Sequence, residues 1–205
     1  MDLLWTGSDD APHTLVLAHG AGAAMDNPWM HAIAARLAER GIRTARFEFA
    51  YMAARREGRR PPPPRAELVA DEYRDAVAAA VATTGTPVLI GGKSYGGRVA
   101  SLIADDRHDA GSVSGLVCLG YPFHPPERPG TLRTGHLLVL RTPALICQGE
   151  RDPFGGRAEV AGYGLPGTID VRWFPGAHDV QPATRLAAVA DAIAGFAEAL
   201  STPRR

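Results

Sequence analysis

Length, composition and charge describe an ordinary globular chain of 205 residues, 45% of them hydrophobic and 21% charged. Its 22 lysines and arginines balance 22 aspartates and glutamates, which gives no electrostatic case for a nucleic-acid partner. No apolar run approaches the roughly 20 residues that a membrane span needs, and no secretory signal pattern is found. We therefore expect one cytoplasmic domain over residues 1–205, with neither a nucleic-acid nor a membrane partner.

Short apolar runs alternate with helical patterns along the chain. Several runs lack an apolar/polar alternation, as strands covered on both faces do. In chain order we predict a strand in 14–20, a helix over 28–40, a strand in 43–50, a helix in 65–85, a strand in 86–92, a helix after Ser94, strands in 114–121, 142–149 and 168–176, and a helix over 183–200. This order predicts an α/β fold with a mostly parallel sheet of about six to seven strands and helices on both faces.

Two polar segments are predicted loops. Residues 55–65, "RREGRRPPPPR", concentrate five arginines around four prolines. Such a segment is typical of a solvated loop that leads into a stiff extended stretch, or of a site for an anionic substrate or partner. Residues 121–136 are rich in Pro and Gly, and a loop of that length after a strand is more often functional than idle. Cys118 and Cys147 fit no metal or redox motif, so we expect buried thiols.

The segment "GGKSYGG", residues 91–97, fits two unrelated chemistries. A phosphate-binding loop would need its first glycine at position 87, which is Pro87, and a flexible cradle where Val88, Leu89 and Ile90 form a strand. The same residues favour a G-x-S-x-G nucleophile elbow, in which a strand enters a sharp turn and small neighbours let the following helix pass close by. We therefore predict that Ser94 is a nucleophile at the elbow.

A serine hydroxyl needs a neighbouring base, which in turn needs an orienting acid. In the elbow-bearing fold the chain order is Ser, then Asp or Glu, then His. Asp152 follows a predicted strand, with Glu150 and Asp179 as rival acids, and His178 follows the last strand. His19 ends an early strand, and we expect it to support the turn there. Four other histidines are predicted to be surface residues: His13, His31, His108 and His136.

The oxyanion of acyl transfer is usually held by two backbone N–H groups. One belongs to the residue after the nucleophile, which is Tyr95. The other comes from the loop after the early strand, where Ala21 and then Gly22 are the candidates.

The motifs "HGAGAAMDNPWM", "FEFAYMAARREGRRPPPP", "GGKSYGGRVAS", "GYPFHPPERP", "QGERDPFG" and "PGAHD" give the chain a wider resemblance. From about Leu15 to Leu200 it resembles α/β-hydrolase-fold proteins of the dienelactone-hydrolase-like kind. More narrowly, it is similar to small lidless bacterial proteins related to a testis-expressed eukaryotic protein and to the hydrolase-like subunit of a nonspecific-lethal chromatin complex. The resemblance implies Ser94 as nucleophile, Asp152 as acid and His178 as base. Dienelactone hydrolases place a cysteine at the nucleophile, so their substrate does not carry over.

These observations lead to the hypothesis of a serine hydrolase of the carboxylesterase type that acts on small soluble esters or thioesters. No cofactor and no metal are expected, there is no inserted lid, and the oligomeric state is left open. The candidate pocket walls, each of which could equally pack beneath a loop, are Met25, Trp29, Tyr121, Phe123, Phe154 and Val180. A lysine at 93 is expected to point to solvent. Two alternatives are an interaction module with little catalysis and release of the acyl-enzyme by peroxide.

Overall fold

The computed structural model describes residues 2–179 and 183–202 and contains one sheet of seven strands. The strands are β1 (Leu4–Thr6), β2 (His13–Ala18), β3 (Ile42–Phe47), β4 (Val88–Lys93), β5 (Val113–Leu119), β6 (Ala144–Gly149) and β7 (Ile169–Phe174). Their order across the sheet is β1-β3-β2-β4-β5-β6-β7. Only the edge strand β1 runs antiparallel to its neighbour, and the other described pairs are parallel. The predicted α/β fold with a mostly parallel sheet is confirmed.

Helices occupy the connections between the parallel strands. They are α1 (Pro28–Ala38), α2 (Ala50–Arg56), α3 (Ala70–Thr84), α4 (Tyr95–Asp109), α5 (Arg157–Val160) and α6 (Ala183–Ser201), with short 3-10 helices at Ala66–Val69 and Leu137–Val139. The helix predicted in 65–85 is therefore a 3-10 turn followed by α3. Residues 55 and 56, expected in a loop, form the end of α2, and Arg56 is paired with Glu48 and Asp26.

The central strands β2, β4, β5 and β6 are buried on both faces, which explains why their sequences do not alternate. On one face Val16, Ile90 and Leu116 pack in a cluster with residues of α3 and α4. On the other face Leu15, Leu89 and other strand residues pack with residues of α1 and α6. A strand whose two sides both meet apolar helices has no reason to alternate polar and apolar residues.

The connection between β6 and β7 carries little structure. Residues 150–168 contain the four-residue helix α5 and otherwise turns and loop, so no helical lid is inserted there. Among the described helices, none is both long and apolar enough to cross a membrane.

The turn from β4 into α4 packs closely against neighbouring backbone. A Cβ on Gly96 would lie 2.6 Å from the His19 carbonyl oxygen and 2.7 Å from that of Ala18. A Cβ on Gly92 would lie 2.6 Å from the Gly96 carbonyl carbon. Because the atoms in the way belong to the backbone, a side chain cannot be accommodated by rotating a neighbour.

Replacing Gly96 by alanine should therefore lower the free energy of unfolding by about 1–3 kcal/mol, the usual cost of overpacking. Gly195 in α6 is the matched control, because nothing lies within 4 Å of its added Cβ. Gly195→Ala should raise the free energy of unfolding by about 0.4–1 kcal/mol. Urea unfolding of both variants measures the two values, and equal effects would contradict this description of the turn.

Candidate active site

Ser94 lies at the turn between β4 and α4 in a strained backbone conformation. Its φ of 50° and ψ of −110° make it the single non-glycine residue with positive φ in the described part of the chain. Two backbone hydrogen bonds hold it there, from Ser94 N to Leu119 O at 2.9 Å and from Arg98 N to Ser94 O at 3.0 Å. Although Ser94 is the N-cap of α4, its side chain makes no capping hydrogen bond. The hydroxyl is therefore not used by the helix.

His178 and Asp152 are joined by a hydrogen bond. The Nδ1 atom of His178 lies 2.8 Å from Oδ2 of Asp152, whose side chain is 0% exposed. Phe154 packs on the imidazole, with ring centroids 4.4 Å apart. A buried carboxylate at Nδ1 stabilises the tautomer with the proton on Nδ1, which leaves the lone pair of Nε2 able to accept a proton.

The carboxylate of Asp152 is held from several directions. Phe154 N donates to Oδ1 at 2.9 Å, and Gln148 Nε2 donates to Oδ2 at 2.9 Å. Gln148 is itself fully buried and also donates to Tyr121 O and accepts from Tyr121 N. Sequence reasoning missed this glutamine, whose signal was a polar residue inside the apolar run of β6. The rival acids are engaged elsewhere, Glu150 with Arg157 and Asp179 with Lys93.

Ser94 and His178 line one cavity of about 340 Å³ at the carboxyl ends of the strands. Gly20, Ala21 and Gly22 line the same cavity. The predicted nucleophile, the predicted base and the loop with the predicted oxyanion donors thus meet at one place. The structure also brings Asp152 there through its bond to His178.

Two buried side chains fix the peptide planes of the loop that follows β2. Phe49 N donates to Nε2 of His19 at 3.2 Å, so Nε2 is an acceptor and the proton on Nδ1 is donated to Gly20 O at 2.7 Å. Burial, the largest cause, lowers the pKa of His19 and favours this neutral form. Tyr51 donates its hydroxyl to Ala21 O at 3.2 Å.

These two bonds determine where the loop amides point. In a trans peptide the N–H is directed opposite to the C=O of the preceding residue. Holding Gly20 O therefore orients the N–H of Ala21, and holding Ala21 O orients the N–H of Gly22. His19 lies buried in the structural position that was predicted for it, whereas the contribution of Tyr51 had no sequence signal.

Lys93 was predicted to point to solvent, and this prediction is wrong. Its side chain is 11% exposed, and Nζ donates to His178 O at 2.9 Å and pairs with Asp179 Oδ1 at 3.1 Å. Burial lowers the pKa of Lys93, and the charge of Asp179 opposes that shift. Trp29 Nε1 donates to Asp179 O at 2.9 Å. Lys93 and Trp29 therefore tether the segment that carries the predicted base.

A second cavity of about 390 Å³ opens on the other side of Ser94. Tyr95, Ala21 and Phe154 line it together with Arg65, Arg98 and Arg133. We call it the arginine cleft.

The predicted pocket walls divide between these cavities and the core. Trp29 lines the first cavity and Phe154 lines the arginine cleft. Met25 lines neither of them, and its backbone is bonded to Glu48 and Arg46. Tyr121 and Phe123 are fully buried, and their ring centroids lie 4.9 Å apart, because the start of the 121–136 loop packs into the core. Val180 lies outside the described residues.

Cys118 and Cys147 are buried, unpaired thiols, and burial raises the pKa of both. Within residues 2–179 and 183–202, no group of three or more His, Cys, Asp or Glu side chains is arranged to hold a metal ion.

A Ser/His hydrogen bond is found further along α4, at Ser101. His136, predicted at the surface, is mostly buried, and its Nε2 lies 2.8 Å from Ser101 Oγ and 3.4 Å from the Tyr121 hydroxyl. Ser101 donates to Arg98 O and Tyr121 donates to Arg133 O, so both hydroxyls accept from His136. An imidazole that donates to a serine cannot also remove its proton, so we assign this network a structural role.

Comparisons with known proteins place the chain in a class. The model of the family described as "Alpha/beta hydrolase domain" matches residues 11–201. The chain therefore belongs to the alpha/beta hydrolase domain family. The solved structures described next are 18–22% identical to this chain, so they support the fold alone.

Three solved structures illustrate the similarity. A dienelactone hydrolase from Anabaena variabilis has a TM-score of 0.75 at 22% identity, covering 95% of this chain and 89% of that one. A serine hydrolase without a lid from Xanthomonas campestris has a TM-score of 0.69 at 18% identity, covering 96% and 88%. A Butyrivibrio proteoclasticus protein with bound ferulic acid has a TM-score of 0.70 at 18% identity, covering 97% and 94%.

The buried network predicts an acid-sensitive contribution to stability. Burial, followed by the charge of Arg98, lowers the pKa of His136 from 6.5 to about 4. The unfolded chain therefore binds the proton first as pH falls, and stability is lost between about pH 6.5 and 4, at about 1.4 kcal/mol per pKa unit.

His136→Gln removes this titration. Urea unfolding of both proteins at pH 7, 5.5 and 4 should show the largest difference in free energy at pH 7, shrinking by up to about 3 kcal/mol at pH 4. A difference that stays constant over this range would contradict the assignment.

Proposed function

We propose that this protein is a serine hydrolase of the carboxylesterase type, acting on small esters or thioesters through an acyl-enzyme. One observation carries the proposal: strained Ser94 shares a cavity with His178, whose Nδ1 is bonded to the buried carboxylate of Asp152. A non-glycine residue is held in such a conformation only where the surroundings over-determine it, and such residues cluster at active sites. We also propose that this chain is related to the small lidless bacterial proteins that its sequence resembles.

In the proposed mechanism Ser94 Oγ attacks the carbonyl carbon while His178 Nε2 takes its proton. Asp152, whose carboxylate accepts hydrogen bonds from Phe154 N and Gln148 Nε2, orients the imidazole. His178 then gives the proton to the departing alcohol or thiol. Water, activated by the same imidazole, attacks the acyl-serine and releases the acid.

The proposed oxyanion donors are the N–H of Tyr95, the first residue of α4, and an N–H of the loop after β2. The N-terminus of α4 adds a favourable dipole for negative charge. His19 and Tyr51 orient the amides of Ala21 and Gly22 before any substrate arrives. Donors fixed in advance need no reorganisation as charge develops.

The dimensions of the site support a small substrate. Cavities of about 340 and 390 Å³ flank Ser94, near the lower end of the usual range for small-molecule sites. The similar Butyrivibrio protein with ferulic acid bound makes small esters plausible at the level of the fold.

Replacing Ser94 by alanine should reduce hydrolysis of short 4-nitrophenyl esters by roughly a millionfold, the scale seen when a triad serine is removed. A fluorophosphonate should label the wild type at Ser94, as located by peptide mass spectrometry, and His178→Ala should lose that labelling. Ser101→Ala is the matched control, because it removes the serine that is hydrogen-bonded to His136, and it should retain both labelling and turnover.

Unchanged hydrolysis in Ser94→Ala would refute the proposal. Loss of labelling in Ser101→Ala with Ser94→Ala unaffected would instead favour Ser101 and His136 as the reactive pair. Failure of the folded wild type to react at any serine would favour the interaction module.

Lys93 acts in this proposal as a positioning residue through its bonds to His178 O and Asp179. Lys93→Met should lower kcat about tenfold with little change in KM, because the segment bearing the base loses a charged tether worth about 1.5–3 kcal/mol. Lys93→Arg keeps the charge and should recover part of the loss. A change in KM alone would instead assign Lys93 to substrate binding.

A further inference from the structure

The arginine cleft is the feature that the proposed chemistry leaves unused. Ser94 lies on its wall, and three different segments supply its arginines. Arg65 precedes the 3-10 helix Ala66–Val69, Arg98 lies one turn into α4, and Arg133 lies in the 121–136 loop. No aspartate or glutamate is among the residues that line it.

The cleft has more positive charge than its neighbours neutralise. Arg98 pairs with Glu67 at 2.6 Å, yet its Nε is buried without a hydrogen-bond partner. In the part of the chain that the structure describes, the side chains of Arg65 and Arg133 make neither a hydrogen bond nor an ion pair. Burial, and next the charge of Arg98, lowers the pKa of Arg133, as expected where like charges are held together. Guanidinium groups remain protonated in such a place and suit a carboxylate.

Hydrogen bonds of the buried network around His136 hold the backbone carbonyls of two of the three arginines, Arg98 and Arg133. Ser101 donates to Arg98 O at 2.7 Å, Tyr121 donates to Arg133 O at 3.0 Å, and His136 bridges the two hydroxyls. The proline segment before Arg65 is tied to the elbow by a bond from the Tyr95 hydroxyl to Pro64 O at 3.0 Å. The cleft is thus organised before an anion binds.

The two cavities beside Ser94 differ in which half of a substrate they suit. The departing alcohol or thiol must receive a proton from His178, which lines the first cavity and not the arginine cleft. The acyl half therefore extends into the cleft.

We propose that the preferred substrates carry a carboxylate on the acyl half, as half-esters or half-thioesters of small dicarboxylic acids do. Water and the half-ester give the dicarboxylate and the free alcohol or thiol, by the same steps as any ester. This inference rests on the proposed function and adds to it the chemical class of the acyl group.

The test compares two esters with one leaving group, 4-nitrophenyl hydrogen glutarate and its uncharged isostere 4-nitrophenyl 5-methylhexanoate, after subtraction of uncatalysed hydrolysis. The wild type should prefer the glutarate ester in kcat/KM. Arg133→Gln should lower kcat/KM for the glutarate ester by roughly tenfold to a hundredfold, the loss expected for a charged hydrogen bond, and should lower that for the neutral ester much less. Arg59→Gln is the matched control, since Arg59 is exposed, pairs with Glu57 and lies outside the cleft.

A second measurement needs no turnover. Calorimetry should detect glutarate binding to Ser94→Ala, and adding Arg133→Gln should weaken that binding by a similar factor. Raising the salt concentration should also weaken it, because an accessible ionic contact is screened.

Equal loss for both esters in Arg133→Gln, or a wild-type preference for the neutral ester, would overturn the acyl-carboxylate inference and leave the hydrolase proposal standing. A preference for 4-carboxyphenyl butyrate over phenyl butyrate that depends on Arg133 would also overturn it, by placing the anion on the alcohol half. Glutarate binding that depends on Arg133, without reaction at Ser94, would keep the anion site and refute the proposed function.

Discussion

Close backbone contact at the turn from β4 into α4 is the constraint on which the rest of the site depends. Gly92 and Gly96 let the first turn of α4 lie against β4 and the end of β2, where a Cβ would collide with main-chain atoms. The helix can then begin directly after Ser94, whose strained backbone costs about 1–3 kcal/mol. Strand pairing to Leu119 and the first bond of the helix hold that strain in place. Stability gained in the sheet is thus used to present one hydroxyl.

The loops around Ser94 are organised by side chains that hold backbone carbonyls. His19 holds Gly20 O, Tyr51 holds Ala21 O and Lys93 holds His178 O. A carbonyl that is held also fixes the N–H of the same peptide, so these bonds determine where amides and loop residues face. Lys93 is the only lysine in the sequence. Its ammonium group lies between the carboxylate of Asp179 and the ring of Trp29.

Periodic patterns were sufficient to predict most of the fold, because long buried strands and amphipathic helices leave a clear record in sequence. The strand β1 has three residues, too few to show a period, and α2 follows an apolar run that reads as a continuing strand. The elbow and the order of Ser94, Asp152 and His178 could be predicted from the sequence, because each has a local sequence signal.

Other parts of the site depend on how distant segments pack. Tyr121 and Phe123 follow a strand as pocket residues do, but the path of the next loop turns them into the core. Lys93 looked like a surface residue because a charge alone does not reveal a buried partner such as Asp179. Residues 55–65 gave the only sequence signal for the arginine cleft, because its three arginines are more than thirty positions apart and meet only after folding.

One helix carries several parts of the site at once. Ser94 caps α4, Tyr95 begins it, and Arg98 follows Ser94 by four positions, which corresponds to about 6 Å along a helix axis. The proposed nucleophile and one arginine of the cleft therefore belong to the same helix. The spacing of these two residues along the helix is set by the helix and not by the surrounding loops. For the proposed substrates, this interval would set the length of the acyl chain that fits between Ser94 and Arg98.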